Sequence, residues 1–231
     1  MTDDPDGPDE PRGEASTSTR RPRWRTPLIV LVTASVILWV LVLRPPSWWS
    51  AAGDTSPEAA ARGVGFENAM VREVTLVREG EDPWGFVVTD EDVNAWLANR
   101  LEGWLTSRGA DEALAVAGDP RLRLVPGGVE IGVAAPFAGV VVARFDVAID
   151  GEDLVVVPSG GGLGVVPIGA GPLSAGLEIL AGAVEGIEHD PESGGLRLRR
   201  EFPLADGRTV RLDDLELVGG ELAVRFRTLG P

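Results

Sequence analysis

The stretch Arg121-Leu122-Arg123-Leu124-Val125-Pro126-Gly127-Gly128-Val129-Glu130-Ile131-Gly132-Val133 decides the fold. Leu122 and Leu124 alternate with Arg121 and Arg123, and Val129, Ile131 and Val133 alternate around Glu130. Successive side chains of an extended chain point to opposite faces, so a period of two marks strands with one apolar and one charged face. Pro126-Gly127-Gly128 between the two runs is a tight-turn sequence, and an antiparallel hairpin is predicted.

Downstream the same period continues. Phe145, Val147 and Ile149 alternate with Arg144 and Asp146, Asp150-Gly151-Glu152 forms a second turn, and Leu154 to Val157 reads as a further strand. The segment from Pro158 to Pro172, rich in Gly and Pro, reads as a loop. Leu173, Leu177, Leu180, Val184 and Ile187 then trace a helical stripe weakened by Gly176, Gly182 and Gly186. Strands return at Leu196 and Leu198 and again at Val210 and Leu212. Between Leu212 and Leu215 the apolar phase slips by one residue at Asp213-Asp214, which predicts a β-bulge. Gly219-Gly220 closes the last hairpin onto Leu222, Val224 and Phe226.

Upstream of residue 121 the period is helical. Thr89 with Asp92 three positions on resembles a capping box, aspartate standing in for glutamate. Val93, Trp96, Leu97, Leu101, Trp104 and Leu105 predict one helix from Asp90 to Ser107 that buries an apolar stripe carrying two indoles. Ser56-Pro57-Glu58 is a helix start, with a capping hydroxyl, proline in the first turn and a carboxylate at the positive end of the dipole. That helix is expected to reach about Met70, weakened by Gly63 and Gly65. Val71 to Val77 fits either its continuation or a strand. The fold class is therefore α+β: a twisted antiparallel sheet packed on one or two amphipathic helices.

Thr26 to Leu43 is uncharged, preceded by Arg20, Arg21, Arg23 and Arg25 and followed by Pro45, Pro46, Trp48 and Trp49. As a helix it would extend about 27 Å, close to the hydrocarbon thickness of a bilayer, so a single membrane span over 26–43 is expected. The arginines on its N-terminal flank place residues 1–25 in the cytoplasm and the body of the chain outside it. Trp24, Trp39, Trp48 and Trp49 read as interfacial anchors. A cleavable signal peptide would use Ser50, Ala51 and Ala52, but the run is long and two bulky indoles intervene. A twin-arginine export signal at Arg20-Arg21 is poorly matched by Pro22, Arg23 and Trp24. The domain plan is a disordered acidic tail over 1–25, the span over 26–43, a linker over 44–55 and an exoplasmic α+β domain over 56–231.

The chain holds 36 acidic and 21 basic residues, every basic one arginine. Removing the six acids and five arginines of residues 1–43 leaves 30 acids against 16 arginines. That excess excludes a nucleic-acid binder, which must neutralise phosphates. Without cysteine the domain must be held by burial alone.

No motif announces a reaction. Thr89-Asp90-Glu91-Asp92 lacks the spacing of a calcium loop and reads as first-turn carboxylates. His189, the single histidine, precedes Asp190-Pro191 in a predicted turn, and with no cysteine it cannot build a usual zinc site. Gly171 to Gly176 does not form a nucleophile elbow, and Gly160 to Gly164 does not fit a dinucleotide fingerprint. No catalytic, cofactor-binding or metal-binding residue is assigned.

Pro83-Trp84 followed by Thr89-Asp90-Glu91-Asp92-Val93-Asn94-Ala95-Trp96-Leu97 resembles the T-x-E-x-[LV]-N-A-x-L signature of the YpmS-like proteins, and more distantly the chain is similar to tubular lipid-binding folds. The resemblance implies a membrane-anchored domain whose apolar concavity holds a lipid. It singles out Trp84, Asn94 and Trp96 as candidate ligand or partner contacts. The bland reading of Asn94 is a first-turn amide fixing a neighbouring loop. The expected partners are the bilayer, a lipid or other apolar ligand, or, as the alternative, an envelope protein docked on a non-catalytic scaffold.

Overall fold

The computed structural model describes residues 25–50, 53–78, 82–107, 119–135, 139–171, 174, 177–178, 181, 187–204 and 206–230, with side chains from Val30 onward. The expected tail, apart from Arg25, lies outside the described residues, as does Trp24. The chain divides into two compact units, residues 1–37 and 38–231. In the first, residues 25–37 belong to helix α1 (Arg25–Leu43). Among the described residues, no helix is long and apolar enough to cross a membrane.

The second unit is α+β. Helix α2 (Pro57–Thr75) starts as the sequence predicts: the Ser56 hydroxyl accepts from Ala59 N–H at 3.2 Å, and the helix then runs through Val71 to Thr75. Strand β1 (Trp84–Thr89) leads directly into α3 (Asp90–Asn99), where Thr89 Oγ1 accepts from Asp92 N–H and donates to the Asp92 carboxylate at 2.7 Å.

The single helix expected over 90–107 is broken at Arg100, and α4 (Leu101–Ser107) follows. Its apolar stripe is only half-buried, and Trp104 is 41% exposed. The tight contact runs instead through small residues. Ala59 and Ala95 are buried, and a Cβ at Gly63 of α2 would stand 2.9 Å from Ala95 O of α3. The stripe fails to bury because the helix pair closes on its smallest side chains, where backbones approach most closely.

Two antiparallel sheets follow. In the first, β1, β11 (Glu221–Leu229), β10 (Thr209–Val218) and β9 (Glu201–Pro203) lie in that order. Its covered face carries Val88, Val210, Leu212 and Leu217. The register of β10 on β11 shifts between Leu212 and Asp214, which confirms the bulge read from the phase slip. The bulge leaves Asp213 between two arginines, accepting from Arg211 Nε at 2.8 Å and Arg227 Nε at 3.0 Å. Burial alone would raise the Asp213 carboxyl, but Arg211 and then Arg227 outweigh it and hold it below the usual aspartate range. Gly219 and Gly220 both adopt positive φ in the hairpin turn between Val218 and Glu221.

The second sheet runs β2 (Arg121–Val125), β3 (Gly128–Ala135), β4 (Gly139–Asp150), β5 (Asp153–Leu163), β8 (Gly195–Arg199) and β7 (Ile187–Asp190), with β6 (Val166–Ile168) also paired to β5. The 121–133 hairpin is present, Val125 facing Gly128 across Pro126-Gly127. Two expectations are corrected. The segment after Pro158 is not all loop: β5 continues through Gly160, Gly161 and Gly162, where a Cβ at Gly161 would stand 2.1 Å from Val142 O. Glycines carry no alternation, so period-two reading is blind to such a strand. His189 lies in β7 opposite Leu196, not in a turn; the turn is at 191–194. Of the second helical stripe, Leu177 is helical and buried and Ile187 opens β7, while Leu173, Leu180 and Val184 lie outside the described residues.

The sheets are stitched where β2 meets the β10–β11 hairpin: Gly220 N–H donates to Leu124 O at 3.1 Å and Gly127 N–H to Leu217 O at 3.4 Å.

Candidate functional site

The site is built around Trp48. After α1 the chain turns at Pro46, whose carbonyl accepts from Trp49 N–H at 3.0 Å, and the two indoles meet edge to face at 6.1 Å. Trp49 is buried against Val140 and Val142 of β4. Gly132 of β3 makes room for both indoles: a Cβ there would stand 2.7 Å from the Trp49 ring and 3.0 Å from Trp48. Trp49 therefore belongs to the core of the second unit and is not an interfacial anchor. The stretch read as a linker is packed down at this point.

Trp48 is half-buried and walls two open clefts. The first, about 590 Å³, is lined by charged groups, among them Asp54 ahead of α2, Arg62 of α2, Glu91 of α3 and Arg121 of β2. Its charges are largely paired. Arg62 bonds Glu91, and the buried Arg121 guanidinium donates to Asp119 at 2.7 Å and to Pro120 O at 3.0 Å. Asp54 accepts from the Ser56 backbone N–H at 2.9 Å, and bonds to Ser56, backbone then hydroxyl, hold its carboxyl below the usual range. A general acid needs the opposite displacement.

The second cleft, about 420 Å³, is more apolar. It is lined by Gly160, Gly161 and Gly162, by Pro46, Trp48 and Ile168, and by the polar Glu130, Arg144 and Ser159. Three consecutive lining residues of β5 thus lack side chains.

The three residues singled out from sequence occupy separate environments. Trp84 stacks on Phe226 at 4.9 Å, donates from Nε1 to Thr228 Oγ1 at 3.2 Å, and carries the Arg78 guanidinium 3.9 Å above its ring. Its faces and its polar atom are engaged within the fold. Trp96 makes an edge-to-face contact with Trp104 at 6.1 Å. Asn94 lines the first cleft, but its amide is spent on the edge strand β2: Nδ2 donates to Leu122 O at 2.7 Å and Oδ1 accepts from Leu122 N–H at 2.8 Å. One side chain thus supplies the donor and acceptor that a neighbouring strand would supply.

Trp48 and the three glycines were missed as site residues. Their only signal in the sequence is an aromatic pair soon after the apolar run and a glycine run soon after an aliphatic strand. Among the described residues no cluster of three or more His, Asp or Glu side chains could hold a metal ion. No protein-family model, curated protein or solved structure matches the chain.

Proposed function

We propose that this chain is a single-pass membrane protein with a cytoplasmic N-terminus, whose non-catalytic exoplasmic domain holds a lipid or other apolar ligand in the cleft beside Trp48. The observation that carries the ligand reading is the cleft itself: Trp48, aliphatic side chains and three consecutive glycines line a more apolar space with room for an apolar body. The span rests on the uncharged run 26–43, its arginine flank, and the apolar side chains that α1 exposes from Val30 to Leu43. Cleavage at Ser50 to Ala52 would remove Trp49 from its place against Val140, Val142 and Gly132, so the packing supports retention of the run. The likeness of residues 83–98 to the YpmS-like signature agrees with this topology.

Native mass spectrometry of the full chain from mild detergent tests the ligand. A stoichiometric apolar adduct, reduced when Val166→Glu places a charge in the cleft, is expected. A bare chain from both detergent and native nanodiscs would contradict it.

A second reading, a docking scaffold for an envelope protein, is favoured by the openness of both clefts and the mixed charges of the first. Photocrosslinking from position 123, at the rim of that cleft, would trap one discrete partner under this reading.

A further inference from the structure

The second sheet is polarised along its strands as well as across its faces. β4 reads Gly139-Val140-Val141-Val142-Ala143 and then Arg144-Phe145-Asp146-Val147-Ala148-Ile149-Asp150, uncharged at one end and charged at the other. The strands paired with it, β3 and β5, repeat the pattern. Residues 131–143 contain no charge, and neither do residues 154–177, in a chain of net charge −15. Antiparallel pairing aligns these stretches: Ala135 faces Gly139, and Val141 faces Leu163. The β3–β4 and β5–β6 turns therefore share one end of the sheet. The opposite end carries Asp150, Glu152, Asp153, Arg199 and Arg200.

The last turn of α1, whose residues 38–43 belong to the second unit, meets this uncharged end. Val165 N–H, in the β5–β6 turn, donates to Leu41 O at 3.2 Å. Gly164, at φ +60°, lies so close that a Cβ would stand 2.1 Å from Val42 O, and a Cβ at Gly139, at φ +68°, would stand 2.7 Å from the same oxygen. A helix end leaves four carbonyls without intrahelical partners, and away from bulk water each must find a donor. Here a hairpin supplies one. Around the junction Leu38, Trp39, Val40 and Val165 are exposed, with Val165 at 44%.

We propose that this uncharged end of the second sheet, with the β5–β6 turn at its tip, rests in the lipid headgroup layer, so that the domain sits directly on the bilayer. The inference depends on the reading of 26–43 as a span, and adds which surface of the domain meets lipid. An acidic domain is repelled by anionic headgroups and can approach them only through a face without carboxylates. The end that β3, β4, β5 and β6 form beside α1 is such a face; at its β2 edge the Asp119 carboxylate is paired with Arg121 at 2.7 Å. The second cleft, which Val165 also lines, then opens beside the membrane.

The chain has no cysteine, so single labels are unambiguous. Val165→Cys and Glu152→Cys, at opposite ends of the sheet, are labelled with an environment-sensitive fluorophore in the full chain, reconstituted into phosphatidylcholine/phosphatidylglycerol vesicles. Some of the lipids carry a headgroup nitroxide. The expected result is a blue-shifted emission at 165 and quenching several-fold stronger there than at 152. Equal, water-like emission at both sites, in a chain that still sediments with vesicles after alkaline carbonate, would overturn the proposal while leaving the span intact. Release by carbonate would instead overturn the span, and this inference with it.

Discussion

Asn94 and Leu122 join helix α3, which follows β1 of the first sheet, to the edge strand β2 of the second. Asn94→Ala leaves the Leu122 N–H and C=O without partners at a half-buried edge, and should cost about 1–3 kcal/mol in chemical unfolding of the detergent-solubilised chain. Asn94→Asp should also destabilise, by setting a carboxylate against Leu122 O. Part of that loss should return as the pH falls, because a protonated carboxyl can again donate. Asp213 behaves oppositely. Its folded carboxyl is held below the usual range, so its contribution is fully present above the unfolded value and is lost as the pH falls through the folded one. Asp213→Asn should flatten the acid limb of the stability profile, read from unfolding midpoints below pH 5, if the Arg211–Asp213–Arg227 cluster is a stabilising one. An unchanged limb would contradict that role. At this scale the sequence was partly legible. The bulge that creates Asp213 was visible as a phase slip. The partner of Asn94 was not, because Leu122 lies 28 positions away and periodicity does not encode which strand edge a side chain covers.

At the scale of elements, two glycines of α2 should respond with opposite signs. Gly65 faces open space, so Gly65→Ala should stabilise by about 0.5–1 kcal/mol through helix propensity alone. Gly63→Ala must push against the Ala95 backbone of α3 and should destabilise by about 1–3 kcal/mol. Paired thermal unfolding measures both, and equal shifts would refute the close helix contact. Trp49→Ala should cost about 3–5 kcal/mol, the size expected for a core aromatic, whereas a linker residue would cost almost nothing. Elements with alternating or helical patterns were legible: the 121–133 hairpin, both helix starts and the β10–β11 hairpin. The glycine run of β5 was not, since a strand that presents no side chains has no period. The burial of Trp49 was equally hidden, because an indole next to an apolar run suits a membrane interface as well as a sheet.

The chain combines an α+β body with an apolar helix whose last turn, residues 38–43, meets an uncharged end of the second sheet. That coincidence ties anchor, orientation and ligand cleft into one account, in which an acidic domain meets the bilayer only where its carboxylates are missing. The most direct test is a single cysteine at Val218, in the exposed β10–β11 hairpin, probed with a membrane-impermeant maleimide in intact spheroplasts and followed into the membrane pellet after alkaline carbonate. The account predicts labelling before permeabilisation and recovery of the labelled chain with the membranes. Protection until the cells are lysed, or release of the chain into the supernatant, would contradict it.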